Sequence, residues 1–243
     1  MAYGSGNGHY GVHRPRWGQK DGSLLWTPLS IPNLAAYYDS DFGITKDGSN
    51  KVSAWADQSG NGRDLVQATS SLQPLWEDNQ LNGHPIITFD GIDDYLLFTP
   101  LSRFLPYSLW IVFKIPPTGV DQKQILSGSA GYRGYFIDNA GNWLIKWTSS
   151  ICTSAHPAGG TWVLGTLRRR VIGESNDDFF VNNSSDLATG VGSDTTFYYI
   201  KPGGHSSYVA DTSIANIGVV FDVLSDADKA NLHSYMNSRY SLW

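Results

Sequence analysis

The chain of 243 residues has a single cysteine, Cys152, and only two glutamates, Glu77 and Glu174. One cysteine excludes an intramolecular disulfide framework and any zinc or iron–sulfur centre built on several thiolates. Two glutamates against twenty aspartates supply long helices poorly, because Glu is a helix former whereas Asp favours caps and turns. A basic surplus is missing too. The formal net charge of −5 argues against nucleic acid as a partner, since such binding rests on a cationic footprint that releases counterions. No apolar run approaches the roughly 18 residues of a membrane-spanning helix, so no membrane insertion is expected. The opening Met1-Ala2-Tyr3-Gly4-Ser5-Gly6-Asn7-Gly8 lacks the charged and apolar blocks of a secretory signal. With Met1 as the native start, synthesis in the cytoplasm without export is the expectation.

What the chain has is aromatics and turn residues: nine Trp, thirteen Tyr and ten Phe beside 26 Gly and 11 Pro. From Leu34 onward, short β-type runs such as 86–89, 95–98, 108–113, 143–147, 161–164, 179–181 and 196–200 alternate with separators such as Asp90-Gly91 and Pro202-Gly203-Gly204. This rhythm predicts an all-β sandwich. Ser225-Asp226-Ala227-Asp228 followed by Leu232, Tyr235, Met236 and Tyr240 predicts one capped helix at the C-terminus, its stripe closing over the sandwich. Residues 1–33 differ from the rest: they are rich in Gly and carry Arg14, Arg16 and Lys20 against the single acid Asp21. They read as an extended arm, with 34–243 as the folded domain. Such an arm is either a loose terminus or a strap whose Arg14, Arg16, Trp17 and Trp26 dock on another protein.

Three stretches resemble a known family. They are Asn33-Leu34-Ala35-Ala36-Tyr37-Tyr38-Asp39, Val52-Ser53-Ala54-Trp55-Ala56-Asp57-Gln58-Ser59-Gly60-Asn61-Gly62-Arg63-Asp64, and Asn82-Gly83-His84-Pro85-Ile86-Ile87-Thr88-Phe89-Asp90-Gly91-Ile92-Asp93-Asp94-Tyr95-Leu96. Together with Ile217-Gly218-Val219-Val220-Phe221 before the final helix, they resemble the laminin G-like domains of the concanavalin A-like lectin/glucanase superfamily. The kind in question occurs in phage and virion surface proteins and bacterial surface proteins. The resemblance implies a concanavalin A-like jelly roll, a scaffold that hosts lectins, glycosidases, adhesion modules and virion components.

Three chemistries compete on that scaffold. Asp57, Ser59 and Asn61 followed by Gly62 imitate the opening of an oxygen-ligand loop, so calcium is a candidate cofactor, with Asp90, Asp93 and Asp94 as further oxygens; the competing reading is turn capping. Glycoside hydrolysis needs two opposed carboxylates, and the E-x-D-x-x-E strand of glucanases is absent, so no catalytic residue is assigned. Sugar binding calls for exposed rings beside polar groups, and Tyr132, Tyr135 and Tyr208 sit in Gly-rich stretches suited to it. Arg168-Arg169-Arg170 should place one or two guanidinium groups on a solvated sheet face, with an acidic partner as the alternative. The expected function is a non-catalytic structural or attachment protein of a virion, such as a head decoration, fibre or tail component. It would sit in many copies or as a homo-oligomer against capsid or tail proteins, with host glycans as a further partner. The alternatives are a carbohydrate-binding module or adhesin that is soluble or at the cell surface, extracellular in either case, and a glycoside hydrolase.

Overall fold

Asn82 and Gly83 both take positive φ, 50° and 86°. That pair suits a two-residue hairpin turn, which joins β5 (Leu75–Leu81) to β6 (His84–Asp90) with Leu81 opposite His84. In the computed structural model, the described residues are 26–101, 106–114, 123–129, 133–137, 142–147, 150–155, 159–170, 177–184, 186–187, 200–204 and 209–243. The other strands are β1 (Leu34–Asp39), β2 (Ile44–Lys46), β3 (Val52–Trp55), β4 (Leu65–Val66), β7 (Tyr107–Lys114), β8 (Lys123–Ser129), β9 (Arg133–Ile137), β10 (Asn142–Trp147), β11 (Ser150–Ala155), β12 (Trp162–Arg169), β13 (Asp178–Val181), β14 (Asp186–Leu187), β15 (Lys201–Pro202) and β16 (Asp211–Val220). One helix, α1 (Asp226–Tyr240), follows. The fold class is all-β with a C-terminal helix, as the sequence predicts.

The main sheet runs β14-β13-β12-β7-β16-β6-β5, with β1 also pairing with β16. A second sheet runs β11-β10-β9-β8-β15, and a third, β2-β3-β4. Within the main sheet both faces are covered, which is why β7 is buried along its length except at Lys114. Tyr107, Leu109, Ile111 and Phe113 of β7 point into one core with Val52, Trp55 and Leu65 of the small sheet and Ile125 and Leu126 of β8. Trp110 and Val112 point the other way, into a second core with Leu232, Met236 and Tyr240 of α1. Alternation along a strand puts neighbours on opposite faces, so a helix on one face and strands on the other bury every position.

Ser225 caps α1 as expected: its Oγ accepts the Asp228 N–H at 3.0 Å. Asp226 and Asp228 occupy the first turn and Arg239 the last, each sign matching the helix dipole. Among the described residues no helix is long and apolar enough to cross a membrane.

Three expectations change. Residues 95–98 form isolated bridges, Leu97 to Val66 and Phe98 to Ile200, rather than a strand, because each side offers them a single partner. Residues 26–33, expected within the arm, lie on the body: Ile31 is buried with the α1 core and Trp26 packs against it. The arginine run is not on a solvated face. Arg168 is 7% exposed, because its face of β12 is the one that α1 covers, and it bonds Asp178 Oδ2, Asp226 Oδ1 and the Leu224 carbonyl. Arg169 points into the other core and pairs with Asp177 at 2.8 Å, while Arg170 pairs with Asp178 at 2.6 Å. The acidic-partner alternative holds for all three.

Candidate functional site

A register irregularity sets up a cleft among the described residues. In β16, Ile214 pairs with Phe113 and Asn216 with Val112, so Ala215 is one extra residue. The Ala215 carbonyl accepts the Ser40 N–H at 3.0 Å, which takes over where the pairing of β1 ends at Asp39. The chain beyond, Asp39 to Phe42, therefore meets the Asn82-Gly83 hairpin and the last turns of α1. Asp41, Phe42, Asn82, His84, Tyr235, Ser238 and Arg239 line a groove of about 420 Å³ at this junction. That volume lies within the range of small-ligand sites.

The groove is held from behind by a hydrogen-bonded chain that starts in the core. Trp110 Nε1 donates to Asn216 Oδ1 at 2.9 Å, Asn216 Nδ2 to the Tyr37 hydroxyl at 3.2 Å, and that hydroxyl to Asp39 Oδ2 at 3.2 Å. Arg239 Nη2 then bridges Asp39, at 3.1 Å, and Asp41. His84 Nδ1 lies 2.7 Å from Asp41 Oδ2. Asp39 is 2% exposed. Burial pushes its carboxyl above the usual range while Arg239 pulls it back, so the guanidinium is what makes the buried charge tolerable. Asn82 Nδ2 donates to the Arg239 carbonyl at 2.8 Å, fastening hairpin to helix. Tyr235, which lines the groove beside Arg239, meets the Trp26 ring edge-on at 6.1 Å. The result is a rigid floor of planar polar groups beside two rings, Tyr235 and Phe42, the latter 38% exposed.

Neither a protein family nor a curated relative matches the sequence. Solved structures do match in shape. A Trypanosoma rangeli sialidase in complex with sialic acid superposes with a TM-score of 0.62 at 12% identity, over 87% of this chain and 34% of the sialidase chain. The binding domain of Paraclostridial Mosquitocidal Protein 1 gives 0.58 at 14% identity, over 84% of this chain and 53% of that one. The botulinum neurotoxin serotype D binding domain gives 0.57 at 12%, over 84% and 51%. The likeness is one of fold. This chain is an all-β sandwich of the jelly-roll type, and it spans about a third of the length of the sialidase it matches.

The residues singled out in the sequence fare differently. Arg14, Arg16, Trp17, Tyr132 and Tyr208 lie outside the described residues, as does the side chain of Tyr135, whose backbone pairs with Leu126 and Ile145. Trp26, expected to dock on another protein, packs instead on Tyr235 of its own domain, because α1 gives its indole an apolar surface. At Asp57-Ser59-Asn61 the side chains brace the turn. Asp57 Oδ1 accepts the N–H of Tyr37 at 3.0 Å and of Ser59 at 2.9 Å, Oδ2 accepts the Arg63 N–H at 3.1 Å and the Ser59 hydroxyl at 2.8 Å, and Asn61 Nδ2 donates to the Leu34 carbonyl at 2.9 Å. These are the contacts of turn capping.

Among the described residues, Asp90, Asp93 and Asp94 do converge, each with an oxygen within 4.8 Å of the others. Asp57 is not among them. Asp90 Oδ1 accepts three backbone N–H groups, from Ile92, Asp93 and Asp94 at 2.8, 3.2 and 3.3 Å. Despite burial, these bonds hold its carboxyl below the usual range. Asp94 is 2% exposed and its buried Oδ1 has no partner; burial, with the Asp90 charge adding, pushes it up to about 6. A carboxyl raised in the folded state favours folding while protonated, so this contribution is complete below the unfolded value of 3.8 and is lost as pH rises through about 6. Asp94→Asn keeps an acceptor for the Asp90 N–H and should raise stability by about 2 kcal/mol at pH 7.5 with no gain at pH 4. Thermal melts at both pH values in EDTA check this; equal melting of variant and parent at pH 7.5 would refute it.

Sequence reasoning missed the groove. Tyr37, Asp39 and His84 stood within fold motifs and Tyr235 within the helix stripe, but Arg239 drew no notice. Its partners Asp39 and Asp41 are 200 and 198 residues away, so no local spacing marks them.

Proposed function

We propose that this protein is a non-catalytic attachment module that recognises carbohydrate through the groove between α1, the β5–β6 hairpin and the end of β1. One observation carries the reading: the juxtaposition of the Tyr235 and Phe42 rings with the planar polar side chains of Asp41, Asn82, His84 and Arg239. Rings offer a flat apolar face to the C–H side of a pyranose, and planar polar groups match its hydroxyls. Binding is favoured over hydrolysis because Asp39 and Asp41 are clamped on one guanidinium and Asp39 is buried. Neither can act as an acid across a glycosidic bond from a second, opposed carboxylate. The narrower reading as a laminin G-like virion component rests on the sequence resemblance and on the basic, aromatic composition of residues 1–25. Deleting those residues and measuring incorporation into particles tests it.

A glycan array probed with the full chain tests the carbohydrate reading. Ser238 is exposed on the rim of the groove, so Ser238→Trp should fill it and reduce binding at least tenfold while the melting temperature stays within about 2 °C of the parent. Undiminished binding by that variant would place recognition elsewhere on the molecule.

A further inference from the structure

Building on the carbohydrate reading, we infer that the groove selects neutral glycans and rejects those bearing a carboxylate, such as sialylated or uronate-containing sugars. An arginine takes a carboxylate best through two parallel N–H donors in its planar fork. Arg239 cannot offer the side-on pair. Its Nε is buried without a partner, and its Nη2 already holds Asp39 and Asp41. The guanidinium faces inward, as the counter-ion of the protein's own carboxylates.

The charges around the groove point the same way. Asp41 on the groove wall and Asp39 behind it share the one guanidinium of Arg239, His84 Nδ1 is likewise turned to Asp41, and no lysine or second arginine appears among the residues that line the groove. A ligand carboxylate entering this space would meet the Asp41 carboxylate at close range, where the medium screens less than bulk water, with the nearby cationic donors already turned to the protein's own carboxylates. Hydroxyl groups meet no such opposition. They can donate to Asp41 and accept from Asn82, His84 or Ser238.

The test compares the full chain against matched pairs of neutral and sialylated forms of the same oligosaccharides. They are printed on one array, and the pair with the strongest signal is then measured by titration calorimetry at 150 mM salt. The expected result is binding of the neutral member at least tenfold tighter than its sialylated counterpart. Asp41→Asn removes the groove-wall carboxylate from an exposed position and should narrow that ratio about tenfold. Equal or tighter binding of the sialylated member would overturn the inference while leaving carbohydrate recognition standing. A ratio that Asp41→Asn does not change would overturn its electrostatic cause. Retention of no glycan at all would sink the carbohydrate reading, and this inference with it.

Discussion

Gly218→Ala is expected to lower the melting temperature by about 10 °C, a loss of roughly 3 kcal/mol or more for a domain of this size. Gly218 lies in β16 opposite Trp110 of β7, and a methyl group there would sit 2.0 to 2.3 Å from three atoms of the indole. The indole cannot swing aside. It is fully buried, with its Nε1 bonded to Asn216, so the added carbon must displace a strand or break the bond. Trp110 also begins the chain of hydrogen bonds that ends at Asp39. The same variant should therefore loosen the groove and weaken ligand binding beyond the fraction unfolded. Differential scanning calorimetry measures the first effect. Pairing Gly218→Ala with Trp110→Leu separates the two causes, because removing the ring should restore part of the lost stability by relieving the overlap. A Gly218→Ala protein that melts with the parent would mean that the second core yields far more readily than a close-packed interior should.

Arg239→Met should destabilise by about 3–5 kcal/mol at neutral pH, the usual cost of leaving a buried charge without its partner. The side chain volume is similar, so the lost charge dominates. With Arg239 gone, only the bonds from the Asp41 N–H and the Tyr37 hydroxyl offset the burial that already pushes Asp39 upward, and its folded-state value rises further. A carboxyl with a raised folded value contributes stability when protonated and loses it as pH climbs, so the gap between variant and parent should narrow as pH falls from 7.5 to 5. Urea unfolding at the two pH values checks the trend. Asp39→Asn in the Arg239→Met background should recover most of the loss, since Asn still accepts the Tyr37 hydroxyl bond without a charge, and the double-mutant cycle gives the coupling energy directly. A variant whose deficit is the same at both pH values would contradict the assignment of Asp39 as the strained group.

The arginine run marks where strand reasoning stopped. Alternation along β12 is real: Arg168 faces α1 and Arg169 the opposite core. Which of those faces is wet depends on what lies over it, and that is a property of the whole sheet. The resemblance supplied the jelly roll, while the comparison of shapes reached only the fold. The groove was illegible for a plainer reason. Its carboxylates lie at and just past the end of the first strand and its arginine in the last turn of the C-terminal helix, so only the closing of the chain brings them together.

By itself the sequence determined the local rules: period-two apolar runs for the strands, Asn82-Gly83 for a tight hairpin, Ser225 and two aspartates for the start of the helix, and a turn braced by Asp57, Ser59 and Asn61. These depend on interactions among residues a few positions apart, which spacing encodes. Only the tertiary structure decided that the main sheet is covered on both faces, that Arg168, Arg169 and Arg170 are paired with aspartates, that Trp26 lies against Tyr235, and that Asp39, Asp41, His84 and Arg239 form one site. Burial and long-range ion pairing depend on which surfaces the completed fold brings into contact, and residues some 200 positions apart carry no periodicity that would announce it.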